Sequence, residues 1–298
     1  MTTSPATRPR DLPAPPPRPH TSSKRDFGRV LIVGGSRGMA GAPALSASAA
    51  LKSGAGLVEA VVPEPVVAIT AGFDPCVMTR GLAATDAGTF AAGAAAEIME
   101  AGGRASALAI GPGLGRSSEV AAIVDALWRE AAVPAVFDAD ALWAVSLLDA
   151  PARRDHAGPR VVTPHAGEML RLAGRNPAGP DATDRDLLVR LAREFAVVSG
   201  AVVVLKGAGT LVVGAGREAI NETGNPGMAT AGTGDVLTGV VAALVAQGME
   251  PFAAARLAAW VHGAAGDAAA VDLGQISLTA RDLLERLHVG FRAATVLP

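Results

Sequence analysis

The chain has 298 residues, half of them hydrophobic and 18% charged, with a formal net charge of −2. That length and composition fit a globular protein of one large or two small domains, and the near-neutral charge gives no basic field for nucleic acid or an anionic membrane surface. No run reaches the roughly 18 apolar residues of a membrane span. Cys76 is the single cysteine, so no intrachain disulfide can form, and the default compartment is the cytoplasm.

Residues 1–26 are rich in Pro, Ser, Thr and Arg and lack the apolar stretch of a signal peptide, which predicts a disordered tail. From Phe27 onward, short apolar runs end in Gly, Pro or Asp and are followed by longer Ala-rich segments. This is strand-then-helix alternation. The runs are Val30 to Val33, Leu57 to Val62, Ala107 to Ile110, Ala135 to Phe137, Val161 to Val162 and Val202 to Leu205. They show no period of two, the mark of strands buried on both faces, so the expected fold is α/β with a mostly parallel sheet flanked by helices. Thr210 to Val213 and Glu218 to Ile220, joined by Gly-Ala-Gly, read as an edge hairpin. No repeat or internal linker interrupts residues 27–298, which points to one domain.

In open α/β sheets ligands bind beyond the carboxyl ends of the strands. There the sequence places Gly34-Gly35-Ser36-Arg37-Gly38-Met39-Ala40-Gly41-Ala42, Gly111-Pro112-Gly113-Leu114-Gly115-Arg116, Asp138-Ala139-Asp140, Thr163-Pro164-His165-Ala166-Gly167-Glu168 and Lys206-Gly207-Ala208-Gly209-Thr210. Parallel strands would gather these loops at one edge. The first resembles the cofactor loop of short-chain dehydrogenases, but those enzymes rely on a catalytic Tyr, and this chain has none. Lys206 is one of three lysines, and at a strand end before Gly-Ala-Gly it suits a phosphate or a purine. A solvated charge closing a strand is the alternative. Asp138 and Asp140 alternate, so a continuing strand would aim only one at the cleft; either can orient Mg²⁺ through water or cap the next helix. Glu168 has the same two readings. His165 lacks partners at metal spacing and reads as a substrate contact.

The remaining motif runs from Asn225 to Asp235, with the apolar run Val236 to Val245 behind it. A Gly-rich turn feeding a helix leaves the N–H groups of the first turn free, and these favour an anion such as phosphate. Asp235 beside such a site is suited to take a proton from an attacking hydroxyl, which describes phosphoryl transfer; an N-capping Asp is the other reading.

Taken together, GGSRGMAGAPALSASAALKSGAGLV, AIGPGLGR, FDADAL, VTPHAGEM, VLKGAGT and NETGNPGMATAGTGDVLTG resemble the ADP-dependent NAD(P)H-hydrate dehydratases of the ribokinase-like superfamily, in order, over nearly all of residues 27–270. The resemblance implies a ribokinase-like three-layer sandwich and repair of the S epimers of NADHX and NADPHX. ADP, with Mg²⁺, would drive dehydration to NADH or NADPH and leave AMP and phosphate. It further implies Asp235 as base and Gly232, Thr233 and Gly234 as N–H donors to the transferring phosphoryl group. Lys206, Gly207, Ala208, Gly209, Thr210 and Gly234 would contact the adenine nucleotide. Ala42, Gly115, His165 and Asp235 would contact the hydrated dinucleotide. No direct metal ligand is assigned.

Two departures stand out. Trp143 follows Asp-Ala-Asp-Ala-Leu where the family usually has Asn, and the 26-residue tail is too short for the epimerase domain of many bacterial members, so a separate NAD(P)H-hydrate epimerase is the expected partner. The family is commonly homotetrameric, and a homo-oligomer is expected. Two other functions use the same residues. One is a small-molecule kinase of the same superfamily acting on a vitamin or sugar alcohol, revealed by a stable phosphorylated product; the other is a non-catalytic adenine-nucleotide-binding module.

Overall fold

The computed structural model describes residues 8–295. Among them the strands are β1 (Arg29–Val33), β2 (Leu57–Pro63), β3 (Met78–Leu82), β4 (Ala107–Ile110), β5 (Ala135–Phe137), β6 (Arg160–Val162), β7 (Val202–Leu205), β8 (Thr210–Gly214) and β9 (Arg217–Asn221). The helices are α1 (Gly41–Lys52), α2 (Val67–Ala71), α3 (Ala94–Gly103), α4 (Ser118–Glu130), α5 (Asp140–Ser146), α6 (Ala150–Arg154), α7 (Ala166–Leu172), α8 (Arg185–Ser199), α9 (Thr233–Ala246), α10 (Pro251–Leu273) and α11 (Ala280–Thr295).

One sheet of order β3-β2-β1-β4-β5-β6-β7-β8-β9 runs through the molecule, parallel from β3 to β7 and closed at one edge by the antiparallel pair β8 and β9. Successive residues of one strand feed two cores. Val30 and Ile32 of β1 join α1, α9, α10 and α11, while Leu31 and Val33 join α3, α4, α5, α7 and α8. This explains the unbroken apolar runs, since both faces of each central strand leave water. Each fully buried Val, Leu or Ile contributes about 1.5–3 kcal/mol, so the two cores, more than local propensity, hold the sheet. The result is the expected three-layer sandwich.

Every apolar run read as a strand is one, and the hairpin stands at the sheet edge. β3 escaped the sequence reading. It is the opposite edge strand, and its Thr79, Arg80 and Gly81 are half-buried, so nothing required an apolar run there.

The proposed tail divides. Residues 1–7 lie outside the described residues, while residues 8–23 carry no helix or strand yet are fastened to the body. Leu12 is buried in the core beside α10 and α11, Arg8 Nε donates to Ala294 O at 2.9 Å, Asp11 pairs with Arg256 at 2.6 Å, and Arg18 lies 3.9 Å over the Phe27 ring. The expectation of disorder is corrected for this stretch: a few anchoring side chains dock a segment whose average composition is that of a disordered one.

β1 is flanked by β2 on one side and β4 on the other, so strand order reverses between β1 and β4. The crevice at such a reversal, beyond the carboxyl ends, is where an open α/β sheet takes ligand. Gly35 N donates to Pro112 O at 2.8 Å and Ser36 Oγ to Gly113 O at 2.8 Å, tying the two glycine loops of β1 and β4 across it.

Candidate active site

The anion turn enters α9 through Gly232, which has φ of +92°. Thr233 starts the helix, and its hydroxyl donates to Met228 O or Thr230 O, both at 3.0 Å, closing the loop on itself. The first intrahelical bond of α9 runs from Val236 N to Gly232 O, so the N–H groups of Thr233, Gly234 and Asp235 have no acceptor within the helix. α1 braces the turn from below: Ser46 Oγ donates to Asp235 O at 2.7 Å.

Lys206, one residue past β7, reaches under this turn. Its ammonium donates to Asp138 Oδ1 at 2.7 Å and lies 3.7 Å from Glu168 Oε2. A Cβ built on Gly234 would stand 3.2 Å from Lys206 Nζ, so a side chain here would push the ammonium a few tenths of an ångström away from the helix terminus. Asp138 is buried, and its other oxygen accepts from Thr238 Oγ1 at 2.7 Å. Burial works against the Lys206 cation, but Asp138 and Glu168 outweigh it and raise the pKa. A fixed positive charge therefore sits at the positive end of the α9 dipole.

Asp235 completes the group. Burial, then repulsion from Asp138, pushes its carboxyl up to about 7 against the pull of Lys206. A carboxyl poised there exchanges its proton near neutral pH, as a general base must. Burial also drives Glu168 upward, opposed by Lys206 and reinforced by Asp138.

The Asp-Ala-Asp turn answers the question its spacing raised. β5 stops at Phe137, and Ala139 takes φ of +51°, a costly conformation for a residue with a side chain. Strain of this kind gathers at functional sites. The turn directs Asp138 down to Lys206 and Asp140 sideways, where Asp140 accepts from Gly115 N at 3.0 Å and Arg116 Nε at 2.9 Å. Asp140 thus shapes the Gly115 loop.

His165 caps α7. Its Nδ1 accepts from Gly167 N at 3.0 Å while its own N–H donates to Glu168 Oε2 at 2.8 Å, a reciprocal capping arrangement. Partial desolvation and the nearby Lys206 charge hold the ring below the usual histidine range although the side chain is exposed, and because Nδ1 accepts from Gly167 N, the proton of the neutral ring sits on Nε2. Ala42 lies in the first turn of α1, where its methyl would meet a Cβ on Gly113 at 3.2 Å. Beyond Lys206, Thr210 Oγ1 donates to Gly207 O at 3.0 Å and Arg185 to Gly209 O at 2.5 Å, which shapes the Lys206–Thr210 loop.

Lys206, Asp138, Glu168, Thr238, Gly234 and Asp235 therefore meet at one point, with His165 on the rim through Glu168. Ala42 and Gly115 belong to the glycine loops of β1 and β4. The sequence reading missed Thr238, Ser46 and Arg185. Thr238 alone had a signal, as the only hydroxyl in the run Val236 to Val245. Trp143 is partly buried, packed against the core that α5 and α7 share.

The site can hold a diphosphate against N–H groups and an ammonium, with a carboxyl of near-neutral pKa beside it. Comparison with known proteins gives the family. A family model described as NAD(P)H-hydrate dehydratase matches residues 30–288. An ADP-dependent (S)-NAD(P)H-hydrate dehydratase from Neisseria meningitidis is 38% identical, over 91% of this chain and 89% of its own length. A bifunctional NAD(P)H-hydrate repair enzyme from Moorella thermoacetica is 46% identical over 91% of this chain, which spans 51% of that relative; the chain covers about half the length of the other bifunctional relatives too. The crystal structure of an ADP/ATP-dependent NAD(P)H-hydrate dehydratase from Bacillus subtilis, co-crystallised with ATP and Mg²⁺, superposes with a TM-score of 0.76 at 27% identity, over 94% of each chain. A ribokinase-like superfamily protein from Enterococcus faecalis gives 0.78 at 25% identity, over 95% of this chain and 93% of its own. With a family match that runs from within β1 into α11, this chain belongs to the NAD(P)H-hydrate dehydratase family.

Proposed function

We propose that the protein dehydrates the S epimers of NADHX and NADPHX to NADH and NADPH, using ADP and releasing AMP and phosphate. The observation that carries this reading is the meeting of Asp235, raised to about 7, with the α9 N-terminus and the Lys206 ammonium.

In this reading the hydrate hydroxyl gives its proton to Asp235 as its oxygen attacks the β-phosphorus of ADP. The bond to the bridging oxygen breaks, and AMP departs with that electron pair. The N–H groups of Gly232, Thr233 and Gly234, with Lys206, stabilise the charge on the phosphoryl oxygens. The new phosphate ester is a far better leaving group than hydroxide. Phosphate then leaves with the carbon–oxygen electron pair, the adjacent ring carbon loses a proton, and the ring double bond returns. Lys206 to Thr210 hold the adenine nucleotide, while Ala42, Gly115 and His165 line the dinucleotide side.

Both Asp138 oxygens are engaged by Lys206 and Thr238, and no cluster of three metal-ligating side chains occurs among the described residues. Glu168, beside Lys206, would be the carboxylate to hold Mg²⁺ through water, and the ion would neutralise phosphate charge. NADHX and NADPHX come as two epimers, so an epimerase activity is the implied partner. No helix among the described residues is long and apolar enough to cross a membrane.

The test is incubation of the purified protein with NADHX, Mg²⁺ and ADP. Return of reduced-nicotinamide absorbance with stoichiometric AMP and phosphate supports the reading. A stable phosphorylated product would instead mark a kinase, and ADP binding without turnover a silent module.

A further inference from the structure

The stripe His262, Gly263, Gly266 and Asp267 on α10 has spacings that place it on one helix face, and that face meets the loop leading into the anion turn. His262 is buried, and its Nε2 lies 2.8 Å from Thr233 O. Asp267 accepts from Gly224 N at 2.9 Å and from Asn225 Nδ2 at 3.0 Å. Between them Thr223 Oγ1 donates to Trp260 O at 3.0 Å, and a Cβ on Gly266 would stand 2.3 Å from Met228 Sδ. The loop from Thr223 to Thr233 is thus fastened to α10 at its start, middle and end.

The last of these contacts reaches the chemistry. The peptide joining Thr233 to Gly234 is planar and stiff, so its carbonyl and the Gly234 N–H turn as one unit. Holding the carbonyl fixes where that N–H points. His262 is held neutral, since burial pushes its ring down to about 4, and a neutral ring facing a carbonyl carries its proton on Nε2.

Resting on the function proposed above, we infer that His262 is a positioning residue that aims the Gly234 N–H at the transferring phosphoryl group, with Asp267 holding the approach loop. The hydrogen bond His262 makes to Thr233 is the device, and it acts without touching substrate.

Two readouts separate this role from simple support of the fold. His262→Ala should lower kcat about 10²-fold, the scale of a small misplacement of reacting groups, with KM for the hydrate little changed. His262→Gln, whose amide can donate to the same carbonyl, should recover most of that loss. Amide hydrogen exchange at Val236, whose N–H is bonded to Gly232 O across the turn, should quicken in His262→Ala and return in His262→Gln, whether or not a substrate turns over. Should His262→Ala not fold, Asp267→Ala takes its place, with the same split of kcat from KM and faster exchange from residue 224 onward. A folded His262→Ala protein with kcat within twofold of the parent and unchanged exchange overturns the inference. A parent protein that binds ADP and turns over no hydrate overturns the functional reading instead, and the exchange measurement then still decides whether His262 orders the turn.

Discussion

Lys206 and Asp138, 68 residues apart in the chain, meet at 2.7 Å beneath the first turn of α9. The pair is more than an internal salt bridge, because the same ammonium faces Gly234 and, through it, the free N–H groups of the helix terminus. Asp138 spends both oxygens, one on Lys206 and one on Thr238, so the cation is fixed before any phosphate arrives. Preorganisation of this kind is what makes a charged donor effective in the transition state.

Removing Asp235's ability to take a proton tests the base directly. Asp235→Asn should keep the fold and ADP binding and lower kcat by about 10²- to 10⁴-fold. An ADP titration beside a turnover assay measures both, and near-normal turnover would remove Asp235 from the mechanism.

Asp138→Ala removes the nearer of the two buried carboxylates that face the Lys206 ammonium and leaves only Glu168, at 3.7 Å. The loss expected on breaking a buried pair is about 3–5 kcal/mol, read by urea unfolding. The double variant Asp138→Ala with Lys206→Met should unfold later than Asp138→Ala, because the stranded charge is gone, and should be as inactive. Equal stability of the two would show that the pair is not coupled.

The raised carboxyl of Asp235 sets a pH dependence with a definite sign. Burial lifts it from 3.8 to about 7, so the folded protein holds this proton more tightly than the unfolded chain does. Its contribution to stability is full below about pH 4 and is lost as pH rises through about 7. Asp235→Asn should therefore melt above the parent at pH 8, with the gap closing towards pH 4. The parent's kcat/KM should rise with pH on a limb near 7, as the base loses its proton. A flat profile between pH 5 and 8, or a melting gap of opposite sign, contradicts this assignment.

Gly234 is the one position where a methyl would press on the cation. Gly234→Ala should move Lys206 and cost turnover by about 10²-fold, with little change in melting temperature because the displaced atom is the tip of a flexible side chain. Turnover left intact would show that Lys206 and the helix terminus do not act on one group.

Much of this was legible in the sequence, for physical reasons. β1, β4 and β7 are buried on both faces, so they read as unbroken apolar runs, and the chemistry-bearing residues follow directly at their carboxyl ends. β3 was not legible, because an edge strand carrying Arg80 and Gly81 shows no apolar pattern. Asp138 gave an open choice between metal and cap; its actual partners, Lys206 and Thr238, are set by the stacking of β5, β7 and α9. His262 was not singled out in the sequence, since a hydrogen bond to a carbonyl 29 residues away leaves no local mark.

In the proposed mechanism the hydrate's own hydroxyl attacks phosphorus. NADHX carrying ¹⁸O in that hydroxyl, turned over with ADP in unlabelled water, measures it through the mass of the phosphate released. The expected phosphate bears one ¹⁸O atom, with that atom's bond to the ring broken and its bond to phosphorus kept. Unlabelled phosphate, with the ¹⁸O in water, would mean that ADP hydrolysis and dehydration run as separate events, and Asp235 would then activate water rather than the substrate.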